Sequence, residues 1–169
     1  MKIGIPKEIK ILEGRVALIP EAAGELVKHG HTVAIEQSAG VLSGYSDEDY
    51  RKTGVEILPD AKSVYQHADL IVKVKEPQAA EFDLMRADQI LFSYLHLAAE
   101  PELTKALQEI GITAIGFETV EHNHALPLLA PMSDIAGRLS VQIGANLLQR
   151  PRGGGACCWG DCLPQSGAR

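Results

Sequence analysis

The chain has 169 residues, a net charge of −6, and 46% hydrophobic and 22% charged residues. This is enough for one domain with a hydrophobic core, and the balanced composition excludes a disordered or fibrous protein. The acidic charge offers no basic surface for nucleic acid. No apolar run approaches the roughly 20 residues that span a bilayer, and the opening MKIGIPKEIK lacks the apolar middle of a signal peptide. We therefore expect a cytoplasmic protein.

Short apolar segments alternate with amphipathic ones along the first two thirds of the chain. The apolar segments predict five strands at 2–5, 32–36, 70–74, 90–94 and 112–117. The amphipathic segments predict helices at 20–29, 47–53, 60–67 and 101–110, with Ser46 or Asp47 capping the second and Gly111 ending the last. This alternation predicts an α/β fold with an open, doubly wound, mostly parallel sheet, whose ligands bind at the carboxyl ends of the strands.

A long helix is predicted over 133–149, capped by Ser133 or Asp134. Its apolar residues recur at helical spacing, and small or apolar residues cover much of its remaining circumference. One small sheet cannot cover so much apolar surface. We expect the helix to promote self-association into a homo-oligomer.

The segment 150–169 has no hydrophobic periodicity and contains every cysteine of the chain, Cys157, Cys158 and Cys162. Three thiols without a fourth ligand make a poor tetrahedral metal site, so no metal is predicted. When CCWGDC is shifted by one reading frame, the codons give Leu, Leu and Gly in succession. We therefore expect a disordered tail that arose from a frameshift, a hypothesis that sequencing the encoding DNA would test.

Several long motifs resemble one known family in the right order: MKIGIPKEIKILEGRVALIP, LIVKVKEP, ILFSYLHLA and PLLAPMSDIAGRLSVQIGANLL. The resemblance, over 1–152, is to the N-terminal domain of alanine dehydrogenases and pyridine nucleotide transhydrogenases. It implies a Rossmann-like domain and oxidative deamination of L-alanine to pyruvate and ammonia, with NAD as hydride acceptor. The transhydrogenase branch carries a tryptophan-containing segment in place of YLHLA, so His96 favours the alanine dehydrogenase branch.

Two basic residues follow predicted strands. The Arg15 guanidinium can pair with the carboxylate of a small acid, although the residues alone favour a solvated surface side chain. Lys75 follows LIVKV at the carboxyl end of a predicted strand, where doubly wound folds place ligand-binding groups. The alternative interpretation is a lysine at the edge of the sheet whose ammonium group reaches solvent. The resemblance implies that Arg15 binds the substrate carboxylate and that Lys75 binds the carboxylate or keto oxygen and polarises the carbonyl.

His96 follows the strand ILFSY, and imidazole suits proton transfer near neutral pH. The alternative reading is a hydrogen-bonded structural histidine. The resemblance implies a catalytic histidine that exchanges a proton as imine and carbinolamine interconvert. Tyr94 lines the substrate pocket or is a core aromatic residue.

Met132 and Ser133 resemble family positions at the mouth of the cleft. The resemblance implies that Met132 touches substrate and that Ser133 approaches the nicotinamide side of the cofactor, in addition to any capping role. His122 and His124 stand in a predicted loop with no convincing third ligand, so we interpret them as surface residues.

No G-x-G-x-x-G motif follows a strand anywhere in the chain, so the cradle for a dinucleotide pyrophosphate is absent. The sequence therefore predicts a substrate-binding domain over 1–132 and an interdomain helix over 133–149, without productive NAD binding or activity of their own. One alternative is a non-enzymatic module that binds a small acid or joins the oligomer of a full-length enzyme. Another is a fragment of a transhydrogenase α subunit.

Overall fold

The computed structural model describes residues 1–152 and divides the chain into two compact units, Met1–Val120 and Glu121–Arg169. The predictions made for the cysteines and for a frameshifted tail lie outside the described residues.

Six strands form one sheet in the described part of the chain, in the order β3-β2-β1-β4-β5-β6, and every neighbouring pair is parallel. This confirms the predicted open, doubly wound α/β architecture. Because the chain leaves β1 toward β2 on one side and later returns to β4 on the other, the strand order reverses between β1 and β4. The strands are β1 Lys2–Ile5, β2 Thr32–Glu36, β3 Glu56–Leu58, β4 Leu70–Val72, β5 Ile90–Ser93 and β6 Thr113–Gly116.

The prediction of five strands was wrong by one, because β3 was missed. It has only three residues, pairs on one side with β2 alone, and none of its side chains is fully buried. An edge strand this short, followed directly by Pro59, leaves too few apolar residues for a recognisable pattern.

Five α-helices accompany these strands in the described residues, and local capping explains several of their ends. Ser46 begins the second helix with a capping box in which its hydroxyl accepts from the Asp49 backbone N–H. Gly111 ends the fourth helix at φ +75°, as predicted for a left-handed cap. The helices are α1 Pro20–Lys28, α2 Asp47–Lys52, α3 Ala61–His67, α4 Pro101–Ile110 and α5 Ala130–Leu147.

Alternate residues of the strands supply two separate hydrophobic clusters. In β1, Ile3 and Ile5 belong to the cluster that contains Ala23 of α1 and Tyr50 of α2. The other cluster joins β4 and β5 to α3 and α4: Val64, Tyr65, Ala68, Ile71, Met85, Leu91, Leu95, Leu103 and Leu107. The period-2 alternation of side chains thus gives each face of the sheet its own layer of helices.

The predicted cap of the long helix was wrong. α5 begins at Ala130, with Leu129 at the N-cap position, so Ser133 and Asp134 lie within the helix and not at its cap. Pro131 explains the earlier start, because its fixed φ suits the first turn of a helix and its missing N–H needs no partner there. Large apolar side chains of α5 are exposed: Ile135, Leu139, Val141, Ile143 and Leu147.

Gly4 allows α3 to approach the centre of the sheet. A Cβ at this position would lie 2.7 Å from the Ala68 Cβ and 2.8 Å from the Val64 Cγ1. We therefore expect Gly4→Ala to lower the free energy of unfolding by about 1–3 kcal/mol through overpacking, measured by urea denaturation. Gly137→Ala is the control, since nothing lies within 4 Å of that site in α5. Equal losses in the two variants would contradict the close approach.

Candidate functional site at the carboxyl ends of the strands

The site lies where the strand order reverses. The segment after β1 carries Glu8, Glu13 and Arg15, and the segment after β4 carries Lys73 and Lys75. Since β1 and β4 are parallel neighbours, both segments leave the same edge of the sheet. A crevice at this position is the usual ligand site of doubly wound folds.

Glu8 joins these two segments through backbone hydrogen bonds. Its Oε1 accepts from the backbone N–H of Val74 at 2.6 Å and from that of Lys75 at 3.3 Å. The carboxylate therefore takes the place that a strand carbonyl would occupy in a longer ladder, and it fixes the backbone from which the Lys75 side chain extends.

Two residues before Lys75, the side chain of Lys73 is almost fully buried between two carboxylates. Its Nζ lies 2.9 Å from an oxygen of Glu81 and 3.3 Å from Glu8 Oε2, and all three side chains are at most 4% exposed. The Tyr65 hydroxyl donates to Glu81 at 3.0 Å. Burial raises the pKa of Glu8, while the charge of Lys73 opposes that rise. This network compensates the buried charge and ties β4 to the segments on either side of it.

Arg15 is held by Glu13 in a paired contact. Its Nε donates to Glu13 Oε1 at 2.8 Å and its Nη2 donates to Oε2 at 2.6 Å. These hydrogen bonds lower the pKa of Glu13, and the charge of Lys75 adds to that effect. The Glu13 side chain is 8% exposed whereas that of Arg15 is 48% exposed. Glu13 thus orients a guanidinium that remains accessible to solvent.

Tyr94 and His96 follow β5, the next strand along the sheet. The Tyr94 ring is buried and stacks on the His96 imidazole, with centroids 6.2 Å apart and planes 17° apart. Burial raises the pKa of Tyr94, and the positive charge of Arg15 opposes the rise. His96 itself is exposed. Tyr94 therefore connects the two sides of the site. It interacts electrostatically with Arg15, which follows β1, and its ring stacks on His96, which follows β5.

The remaining predicted positions lie in the second unit. Met132 and Ser133 occupy the first turn of α5, with their backbone N–H groups donating to the Leu129 carbonyl at 3.1 Å. His122 and His124 flank Asn123 in a tight turn closed by the bridge between His122 and Ala125. Within residues 1–152, no three His, Cys, Asp or Glu side chains are grouped so that they could hold a metal ion. Over the same residues, no helix is both long and apolar enough to cross a membrane.

Sequence reasoning missed the three carboxylates that hold these basic side chains, Glu8, Glu13 and Glu81. One signal was available: Lys73 interrupts the apolar run LIVKV at a position inside the sheet, and a lysine there requires a buried acidic partner. The identity of that partner was not readable, because no local spacing connects it to Lys73.

The fold and the site define a class of protein: a doubly wound α/β domain with basic side chains and an imidazole at the carboxyl ends of its central strands. The model of the family described as "Alanine dehydrogenase/PNT, N-terminal domain" matches residues 4–136, and the chain belongs to that family.

Curated relatives agree with this assignment. The alanine dehydrogenase of Bacillus subtilis is 51% identical over 154 residues, which cover 91% of this chain and 40% of that protein. The alanine dehydrogenase of Methanococcus maripaludis is 53% identical, with 91% of this chain and 42% of that protein covered. The chain thus spans about two fifths of the length of the curated relatives it matches.

Solved structures show the same fold. An L-alanine dehydrogenase superposes with a TM-score of 0.85 at 55% identity, covering 91% of this chain and 43% of that chain. A transhydrogenase from Sinorhizobium meliloti superposes with a TM-score of 0.68 at 29% identity, covering 72% of this chain and 36% of that chain.

Replacing Lys73 by methionine should be strongly destabilising. Lys73→Met leaves the carboxylates of Glu8 and Glu81 buried without their cation, so we expect a loss of about 3–5 kcal/mol at neutral pH in urea unfolding. Lys105→Met removes an exposed partner of Glu109 and should change stability by no more than about 0.5 kcal/mol.

The loss of stability in Lys73→Met should depend on pH in a predictable direction. Lys73 opposes the rise in the pKa of Glu8, so the Glu8 pKa should rise further in Lys73→Met. A raised carboxyl pKa means that the folded state binds its proton more tightly, and stability is lost as the pH rises through that pKa. The difference in free energy of unfolding between wild type and Lys73→Met should therefore become smaller at acidic pH. A deficit that grew on acidification would contradict the network.

Proposed function

We propose that this chain is the substrate-binding part of an NAD-dependent L-alanine dehydrogenase, with L-alanine and pyruvate as its ligands. The observation that carries the proposal is the arrangement of Arg15, Lys75, Tyr94 and His96 on segments that leave the same edge of a parallel sheet. Membership of the family and about 50% identity to alanine dehydrogenases support it. The lower identity to the transhydrogenase structure, 29%, makes that branch the weaker candidate.

Each of these side chains has a proposed role in the reaction. The Arg15 guanidinium binds the carboxylate of alanine or pyruvate, because its planar donors match a carboxylate. The Lys75 ammonium lies against the keto oxygen and polarises the carbonyl carbon toward attack. His96 takes up and returns the proton exchanged with water or the amine. The Tyr94 ring forms a wall of the pocket.

The described residues do not fit a bound dinucleotide. A pyrophosphate cradle needs a glycine-rich turn from a strand directly into a helix N-terminus. In this chain β1 is followed by Pro6 and Lys7, and α1 begins only at Pro20, with no side-chain cap. The chain's residues thus account for substrate binding and proton transfer, and not for the hydride acceptor. The proposal therefore assigns NAD binding to the part of the family proteins beyond the matched length, and we expect no turnover by this chain alone.

The same proposal covers the division of the chain. Residues 1–132 form the substrate-binding domain, and 133–149 correspond to a helix that leads toward the cofactor domain. Met132 and Ser133, in the first turn of α5, have proposed roles in contacting substrate and the nicotinamide side of the cofactor.

The proposed carboxylate site is tested by pyruvate binding to the chain itself. Arg15→Ala removes charge-assisted hydrogen bonds worth about 1.5–3 kcal/mol, so Kd for pyruvate should rise about 10- to 100-fold in an NMR titration or by calorimetry. Arg51→Ala is the matched control, because Arg51 is also an exposed arginine paired with a glutamate. Unchanged affinity in Arg15→Ala would remove Arg15 from the site.

The proposed activity is tested by NADH formation from L-alanine and NAD. The chain alone should show no turnover, whereas residues 1–149 joined to the C-terminal part of the Bacillus subtilis alanine dehydrogenase should be active. In that fusion, His96→Ala and Lys75→Ala should abolish turnover. Turnover by the chain alone would contradict the proposed need for a cofactor domain.

Self-association through α5 is part of the proposal, because Ile135, Leu139 and Ile143 present apolar side chains to solvent. Light scattering after size exclusion should give a mass above that of the monomer. The double substitution Leu139→Lys and Ile143→Lys should reduce it to the monomer, while Gln142→Lys on the same helix should not. A monomeric wild-type chain would contradict this part of the proposal.

A further inference from the structure

His96 has an unusual backbone conformation for a residue that is not glycine. Its φ is +51°, in the left-handed region, which is unfavourable for residues that carry a Cβ. Such a conformation persists only where surrounding contacts enforce it. Two of the backbone hydrogen bonds that hold this segment go to one carboxylate.

Glu118 accepts the backbone hydrogen bonds that follow the end of β5. The last ladder-like bond runs from the Tyr94 N–H to the Val74 carbonyl at 3.2 Å. Beyond it, Glu118 Oε1 accepts from the His96 N–H at 2.7 Å and from the Leu95 N–H at 3.1 Å. An ionised acceptor makes these bonds stronger than bonds to a neutral carbonyl.

The turn after β6 is built to deliver this carboxylate. Glu118 lies in the 3-10 helix Phe117–Thr119, directly after Gly116. A Cβ on Gly116 would lie 3.1 Å from the Glu118 Cδ and Oε2, so the absence of a side chain lets the carboxylate fold back over the strand end. Phe117 anchors the turn by packing edge-on against two aromatic rings. Its ring centroid lies 4.3 Å from that of Phe92 and 5.1 Å from that of Tyr94.

We propose that Glu118 is the positioning residue for His96: it holds the His96 backbone in the left-handed conformation that keeps the imidazole stacked on Tyr94. The loop is also closed on its far side, where the Ala99 N–H donates to the His96 carbonyl at 2.8 Å. The Glu118 carboxylate thus acts on His96 through the backbone and needs no contact with substrate. The assignment rests on the proposed function only in giving His96 a catalytic role.

The test measures His96 by NMR in the 169-residue chain without substrate. Two signals report the arrangement: the positive-φ pattern of backbone couplings and Cα and Cβ shifts, and the ring-current shift that Tyr94 imposes on the imidazole protons. Glu118→Ala should lose both signals. Glu118→Gln keeps an oxygen acceptor of the same reach and should retain them, which is a rescue that general loss of packing would not give.

Two further variants separate positioning from folding. Gly116→Ala leaves Glu118 in place but crowds its carboxylate, so it should shift the His96 signals in the same direction as Glu118→Ala and by a smaller amount. Gly24→Ala puts a Cβ 2.8 Å from the Thr53 Cβ between α1 and α2, so it should destabilise the same unit while leaving the His96 signals intact. Unchanged His96 signals in both Glu118→Ala and Gly116→Ala would overturn the proposal.

Pyruvate titration of the same variants keeps the two proposals distinguishable. If Arg15 and Lys75 bind the substrate, Glu118→Ala should leave Kd for pyruvate within about threefold of wild type, since less than 1 kcal/mol is then involved. A large rise in Kd would overturn a role confined to His96. Failure of the wild-type chain to bind pyruvate would count against the proposed function alone, because the His96 signals are measured without ligand.

Discussion

Lys73 carries its ammonium group into the carboxyl end of the sheet, where only 1% of the side chain meets solvent. A charge buried to this extent requires compensating carboxylates. Glu8, from the segment after β1, and Glu81, from the 3-10 helix Ala79–Leu84, provide them. Because Glu8 also accepts a hydrogen bond from the Lys75 N–H, the buried charges and the position of the half-buried Lys75 are parts of one arrangement.

The ends of β4 and β5 meet the same physical requirement in the same way. Where a parallel ladder stops, the next backbone N–H groups need acceptors. Glu8 supplies one beyond β4, and Glu118 supplies one beyond β5. In each case the carboxylate comes from the segment after the neighbouring strand. Parallel pairing brings these segments to one edge, so the topology that creates the crevice also creates the means of fixing its walls.

Local sequence patterns predicted five of the six strands and the helices α1 to α4, but neither β3 nor the start of α5. The apolar runs gave strands 2–5 and 32–36 with the observed bounds, and Gly111 ended its helix as expected. Arg15, Lys75 and His96 were chosen through the family resemblance, and the positions of Lys75 and His96 after predicted strands agree with that choice. Glu8 and Glu118 could not be chosen, since their partners lie 66 and 22 residues away. Ser133 was mistaken for a cap because Pro131, which allows an earlier start, was not weighed.

Two independent carboxylates therefore fix the residues to which the proposed function gives separate tasks. Glu8 fixes the backbone of Lys75, the proposed substrate-binding residue, and Glu118 fixes that of His96, the proposed residue for proton transfer. Their supports arise on different strands and share no hydrogen bond in the described residues. The two strand ends are nevertheless joined, because the Tyr94 N–H donates to the Val74 carbonyl at 3.2 Å between them.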